Sequence, residues 1–457
     1  MKELTLKQIA DWCGGTVAPE YETVPVTGVE SDSRKVEVGD LFVALRGERV
    51  DGHDFIPSAK PLGASAALVS RPSEELPCVV VESPLRAYGE IAKHYREMTG
   101  VKVGGITGSV GKTTTKEMIA SVLSRDFKLY KSEGNHNNEI GLPMTVMNMP
   151  EDTELLVAEL GTNHPGEIAY LSAIAQPDYA VITNIGIAHI EYLGSREGIL
   201  REKLDILRSS LKNTVGIFNG DEPLLWNVRD KGTHKKYYFG IDNPSCDVVA
   251  SGIQELDDGM RFHVSGFHHE FELFVPALGR HMVYNALAAA TVGLAMGVKP
   301  ETIQNELSIF RNTGMRQKIY EKNGMTIIED CYNAGPESTE AALGVLASVK
   351  TSGKRIAVLG DMLELGNRSS AEHYRIGRIA AQKADLLLTY GAHSVRTVTG
   401  AITGGMSPKN AEHFDTHEDL VRMLKMRAGE ADVILFKGSR GMKMERVLQM
   451  FLDDHEA

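Results

Sequence analysis

Cysteine is scarce in this chain: 457 residues hold four, Cys13, Cys78, Cys246 and Cys331, far apart and without a Cys-x-x-Cys pair. Such spacing offers neither a disulfide framework nor a zinc site and fits a reducing cytoplasm. Basic tracts are missing as well. Lys and Arg total 49 against 61 Asp and Glu, a net charge of −12, which argues against nucleic acid as a partner. Nucleotides stay open, because they need only a local positive pocket. No apolar run is long enough to cross a bilayer, and the opening residues Met-Lys-Glu-Leu-Thr-Leu-Lys-Gln contain no apolar leader. The expectation is a cytoplasmic protein with no membrane insertion. Its length exceeds one ordinary domain, so about two to three are expected.

The strongest local signal lies at 101–118. An apolar strand over 101–106 runs through Thr107-Gly108-Ser109-Val110-Gly111 into a helix opening at Lys112-Thr113-Thr114. A Gly-rich turn between strand and helix aims backbone N–H groups and a helix N-terminus at an anion. Lys112 is placed to reach the outer phosphates of a nucleotide, and the Thr113 hydroxyl to meet Mg2+. A strict P-loop has glycine where Ile106 stands, so this is a shorter variant. The competing reading is an ordinary strand-to-helix turn; the Gly-Lys-Thr in its required context favours the cradle.

Around it the chain alternates strand and helix. Strands are expected at 101–106, 155–160, 179–183 and 215–219, with helices at 112–125, 166–175, 196–211 and 281–296. That pattern predicts a mostly parallel sheet with helices on both faces, and ligands beyond the strands' carboxyl ends. Alternating residues at 246–275 around Asp257-Asp258-Gly259 suggest a hairpin forming a small antiparallel addition. Residues 1–98 read as a small α/β domain of their own. Beyond a polar linker at 311–314, strands at 326–329, 355–359, 386–389 and 433–436 alternate with helices at 336–349, 370–382, 417–427 and 442–453. The whole is an α/β chain of three domains: 1–98, a central P-loop domain at 99–314, and a Rossmann-like doubly wound domain at 315–457.

Polar residues gather at the strand ends. Glu159 closes one strand, and Asn184 and His189 follow another, which puts them on the rim that carries Lys112. A carboxylate and an imidazole there can hold a metal; alone, each is a capping acid or a satisfied loop histidine. The segment Gly134-Asn135-His136-Asn137-Asn138 is dense in amides that suit a polar substrate or, equally, a surface turn. Near the C-terminus three loops follow strands: Asp330-Cys331-Tyr332-Asn333-Ala334-Gly335-Pro336, Gly360-Asp361-Met362-Leu363-Glu364-Leu365-Gly366, and Lys437-Gly438-Ser439-Arg440-Gly441. Converging, they would face a substrate, with Lys437 and Arg440 for a carboxylate or phosphate. Separately, each is an ordinary connection.

These residues resemble the Mur ligase family, ATP-dependent amide-forming enzymes of peptidoglycan synthesis. The resemblance rests on Ser31-Asp32-Ser33-Arg34 with Gly39-Asp40-Leu41-Phe42-Val43-Ala44-Leu45, on the cradle, on Glu159-Leu160-Gly161 with Asn163-His164, on Tyr332-Asn333-Ala334 with Pro336, and on Lys437-Gly438-Ser439-Arg440. An Asp-Asn-Pro-Arg motif, which marks the diaminopimelate-adding sibling, is missing, which favours the dipeptide-adding member. The resemblance implies a monomer that binds UDP-N-acetylmuramoyl-tripeptide, ATP with Mg2+, and D-alanyl-D-alanine on its three domains, and joins peptide to dipeptide through an acyl phosphate. It implies that Ser33 and Arg34 lie near the uridine diphosphate, that Thr113, Glu159 and His189 organise Mg2+, that Asn285 lies near adenine, and that Arg316 lies near the ATP phosphates. Asn135, Asn137, Asn138, Asp330, Tyr332, Asn333, Lys437 and Arg440 would contact substrate. Lys203 matches a lysine that is carbamylated in relatives; from sequence alone it reads as a solvated helix lysine. Cys331, Gly335 and Val110 depart from the usual pattern. Two rivals remain. A folate polyglutamylating ligase has no place for Ser31–Arg34. A nucleotide switch would carry Asp-x-x-Gly where Glu159-Leu160-Gly161 stands.

Overall fold

The computed structural model describes residues 1–47, 49–208 and 213–453. Alternation within single strands decides the layers. Leu155 and Val157 enter one core with Met118, Ile119 and Val122 of helix Lys112–Leu123 and Val283, Ala286 and Leu287 of helix Arg280–Ala295. Leu156 and Ala158 enter the opposite core with Ile168 and Leu171 of helix Glu167–Ala175 and Ile199 and Ile206 of helix Arg196–Arg208. A strand buried on both faces reads as a continuous apolar run, which is why the central sheet was plain in the sequence.

That sheet has nine strands. Its cradle strand Lys102–Thr107 pairs in parallel with Leu155–Glu159 on one side and Tyr179–Ile182 on the other. The chain reverses its direction of travel across the sheet here, making the cradle strand's carboxyl end the switch point where ligands bind. The hairpin expected at 246–275 is a three-stranded meander, Val248–Leu256, Gly259–Gly266 and His269–Val275. Strand Lys236–Gly240, not anticipated, pairs in parallel with its first strand, so the meander extends the central sheet. Leu129–Lys131 is a further unforeseen strand, at the opposite edge. Of the helix expected at 196–211, residues 209–211 lie outside the described residues.

The first region carries a four-stranded parallel sheet. Helix Pro84–Thr99 begins with the Ser83 hydroxyl accepting from Arg86 N and ends at Gly100. It shares a core with its own sheet and packs also on helices Gly141–Met147 and Glu167–Ala175. The guanidinium of its buried Arg96 donates to the carbonyls of Ala175 and Gln176 and to Asp178.

The last sheet has six strands, with Val433–Lys437 between Met325–Asp330 and Arg355–Gly360, all parallel. Lys318–Lys322 adds an antiparallel edge. The expected helices form at Pro336–Ser348, Ser369–Lys383, His417–Arg427 and Met444–Asp453. Helix Val395–Thr403 and strand Ala411–Phe414 were not anticipated. The α/β class with a mostly parallel central sheet and a doubly wound C-terminal sheet therefore holds. Among the described residues, no helix is long and apolar enough to cross a membrane.

Candidate active site

The cradle turn demands glycine at two places. A Cβ on Gly108 would lie 1.8 Å from the Thr183 hydroxyl, and Gly111 takes φ 82° while its face meets the Asn285 amide. Lys112 opens the following helix, and its ammonium donates to the Gly108 carbonyl at 2.9 Å. Desolvation lowers the pKa of Lys112; Glu159 opposes that shift and Arg316 adds to it. Thr113 donates its hydroxyl to Glu159 Oε2 at 2.6 Å, and Asn137 Nδ2 donates to Glu159 Oε1 at 2.8 Å. The Ser132 hydroxyl accepts from Glu159 N at 3.1 Å. This buried carboxylate thus has both oxygens engaged and its backbone pinned.

The outer turn of the cradle is stitched to the loop after strand Tyr179–Ile182. Asn184 Oδ1 accepts from Ser109 N at 3.1 Å and Val110 N at 3.0 Å, and Gly186 N donates to the Ser109 hydroxyl at 3.0 Å. His189, in the left-handed region at φ 59°, pairs through Nδ1 with Glu364 of the last region. That pairing lowers the Glu364 pKa. Glu337 also crosses over, its Oε1 accepting from Ile187 N at 2.9 Å.

These groups border one cleft of about 1140 Å³. Ser109, Val110, Gly111, Lys112, Thr113, Thr114, Asn135, Asn137, Asn138, Glu159, His189, Asn285 and Arg316 face it together with Asp330, Tyr332, Asn333, Lys437 and Arg440 of the last sheet's loops. Arg316 stacks its guanidinium 4.0 Å from the centre of the Tyr332 ring. Lys437 is already committed: its buried ammonium donates to Asp330 at 2.6 Å and to the Asn333 carbonyl at 3.1 Å. Lys437, expected to hold a carboxylate or phosphate, already holds the Asp330 carboxylate, and its charge fixes that loop. Arg440 is exposed beside Glu445.

Lys203 is no solvated lysine. It is 2% exposed on helix Arg196–Arg208, and burial pushes its pKa down to about 7, with Lys112 adding to the fall and Glu202 resisting it. Thr107 is buried at the strand's end, its hydroxyl unpartnered, and does not border the cleft. Ser33 and Arg34 also lie outside it; Arg34 is exposed and forks onto Asp32, holding that carboxyl at about 2. Sequence reasoning gave no role to Glu337. Its only local signal is an acid in the first turn of a helix opened by Pro336.

A phosphate cradle at a sheet's switch point, facing a second nucleotide-fold-like sheet across one cleft, defines a P-loop enzyme that encloses a second substrate beside its nucleotide. The chain belongs to the Mur ligase family: residues 25–105 match the Mur ligase family catalytic domain, 106–293 the Mur ligase middle domain and 315–440 the Mur ligase glutamate ligase domain. It is 41% identical to the UDP-N-acetylmuramoyl-tripeptide--D-alanyl-D-alanine ligase of Bacillus subtilis, with 99% of each chain covered. Its fold is similar to that of MurF from Acinetobacter baumannii, at TM-score 0.90 and 32% identity over 99% of each chain. A MurF ligase from Thermotoga maritima, solved in complex with ADP, matches at TM-score 0.83 and 31% identity over 94% of this chain and 98% of that one.

Proposed function

We propose that the protein is a cytoplasmic, monomeric, ATP-dependent ligase that joins D-alanyl-D-alanine to UDP-N-acetylmuramoyl-tripeptide. The observation that carries this reading is the single cleft shared by the cradle and the C-terminal loops. We assign residues 1–98 to the UDP-sugar, 99–314 to ATP and 315–457 to the incoming amine, a division supported by three family matches with boundaries nearby. Ser33 and Arg34 are the proposed contacts to the uridine diphosphate, and Asn285 and Arg316 those to ATP.

In this reading the terminal carboxylate of the tripeptide attacks the γ-phosphorus of ATP, ADP leaves, and an acyl phosphate forms. The dipeptide amine then attacks the acyl carbon; phosphate leaves and the amine's proton passes to solvent or a nearby base. Lys112 and the N–H groups of the cradle hold the phosphates and stabilise charge on the phosphoryl group in flight. Asn135, Asn137 and Asn138 border the peptide side. The C-terminal loops carrying Asp330, Tyr332, Asn333, Lys437 and Arg440 close the cleft against water, which would otherwise hydrolyse the acyl phosphate.

The donor set fits Mg2+. Among the described residues, no group of three His, Cys, Asp or Glu side chains could hold a metal by itself. Magnesium, where bound, takes one or two protein oxygens together with phosphates and water. Thr113 and Glu159 would supply that pair, with His189 and a carbamylated Lys203 as the outlying members. The ion supplies charge neutralisation at the transferred phosphoryl group. A neutral Lys203 amine, favoured by its low pKa, is the form whose nitrogen adds to the carbon of CO2 and then gives up a proton to solvent, leaving an anionic carbamate.

The test is substrate dependence. Phosphate release from ATP is expected to require both the UDP-tripeptide and D-alanyl-D-alanine, with mass spectrometry finding the UDP-pentapeptide. Release with neither substrate would mark a nucleotide switch, and product formed from a folate with glutamate would mark the other rival.

A further inference from the structure

Residues 183–189 form a stretch of the cleft wall gripped from both sides. Inward, Asn184 holds the N–H groups of Ser109 and Val110, and Gly186 N donates to the Ser109 hydroxyl. From its own domain, Arg196 donates twice to the Ile185 carbonyl, at 3.1 and 2.7 Å. Outward, the next free backbone donor, Ile187 N, is taken by Glu337 Oε1 at 2.9 Å, from the first turn of helix Pro336–Ser348. The Glu337 carboxylate lies flat on Gly186: a Cβ there would sit 2.7 Å from Oε1 and 2.8 Å from Cδ. Its second oxygen, Oε2, is buried without a partner. Among the described residues no cation pairs with Glu337, and its one hydrogen bond accepts from Ile187 N.

We propose that Glu337 is a positioning residue for phosphoryl transfer: from the amine-binding region it fixes the 184–189 loop and, through Asn184 and Ser109, the outer turn of the ATP cradle. The cradle then reaches its working shape only when the C-terminal region is seated. ATP is committed when the site for the attacking amine is assembled, which limits loss of the acyl phosphate to water. The inference rests on the ligase reading, and wild-type turnover tests that reading separately from the variants below.

Glu337→Ala, Glu337→Gln, Gly186→Ala and the Gly186→Ala/Glu337→Ala double variant are compared with wild type for ligation and melting temperature. Loss of one hydrogen bond to a charged acceptor amounts to about a tenfold effect. Glu337→Ala is expected to raise KM for ATP and lower kcat by about that factor, with KM for D-alanyl-D-alanine and the melting temperature unchanged. Glu337→Gln keeps the carbonyl acceptor and is expected to restore most of the activity. Gly186→Ala displaces the carboxylate and is expected to reproduce Glu337→Ala, while the double variant is no worse than either single one. The proposal is overturned if Glu337→Ala leaves KM for ATP at the wild-type value. It is equally overturned if Glu337→Gln is as impaired as Glu337→Ala with a raised KM for D-alanyl-D-alanine, which would make the group a receptor for the substrate ammonium. Additive losses in the double variant would also sink it.

Discussion

Lys112→Ala is expected to lower kcat for ligation about a thousandfold while the melting temperature stays near that of the wild type. The magnitude is that of removing one preorganised electrostatic donor from a site where charge develops. The structural basis for the second half is equally specific. Lys112 donates to one acceptor, the Gly108 carbonyl, and desolvation already disfavours its charged form. Losing a desolvated ammonium is expected to cost the fold little. The helix that follows is held by Met118, Ile119 and Val122 in the core. Steady-state kinetics with calorimetry on the same sample decide the matter. A folded variant turning over at near the wild-type rate would remove the cradle from the mechanism.

The second large effect has opposite signs on stability and activity. Lys203→Met is expected to stabilise the protein by roughly 1–4 kcal/mol, as replacement of a buried ion by a well-packed apolar side chain often does, and to cut turnover by about ten- to a hundredfold, the scale for disturbing a metal's supporting groups. The pH dependence checks the assignment. The pKa of Lys203 falls from 10.5 to about 7 on folding. Between those values the unfolded chain binds the extra proton, so wild-type stability rises as pH rises through that window; below about 7 the penalty is fully present. In CO2-depleted buffer, denaturation midpoints at about pH 6.5, just below the window, and about pH 9.5, well inside it, should differ for wild type, and this rise should be absent from the Met variant. Equal slopes in both proteins would mean that Lys203 is not the buried titrating amine.

Much of this site was legible because it obeys local rules. A strand, a glycine turn and Lys112-Thr113 announce a cradle through spacing alone, and Glu159, Asn184 and His189 follow from the habit of parallel sheets to gather ligands at strand ends. Short-range chemistry explains the failures as well. Leu129–Lys131 is too brief to show a period, and Lys318–Lys322 is a polar edge strand whose alternation is blurred by Lys318, Glu321 and Lys322. Val395–Thr403 is rich in β-branched residues that lower helix propensity, and packing against helix Ser369–Lys383 overrides it. The rest depends on pairs far apart in the chain. Nothing near Lys203 foretells its burial beside Lys112, nothing near Lys437 foretells Asp330, and the partners of His189 and Ile187 lie 175 and 150 residues away.

The bond from Ile187 N to Glu337 has one more consequence, for amide exchange with deuterated solvent. Amides of the strand Lys102–Thr107, paired on both sides in the interior of the sheet, should exchange only when the whole domain opens. The Ile187 amide has its acceptor on the opposite wall of the cleft. Its exchange rate therefore counts how often the two walls part, which makes a single backbone proton a native clock for the opening of the cleft.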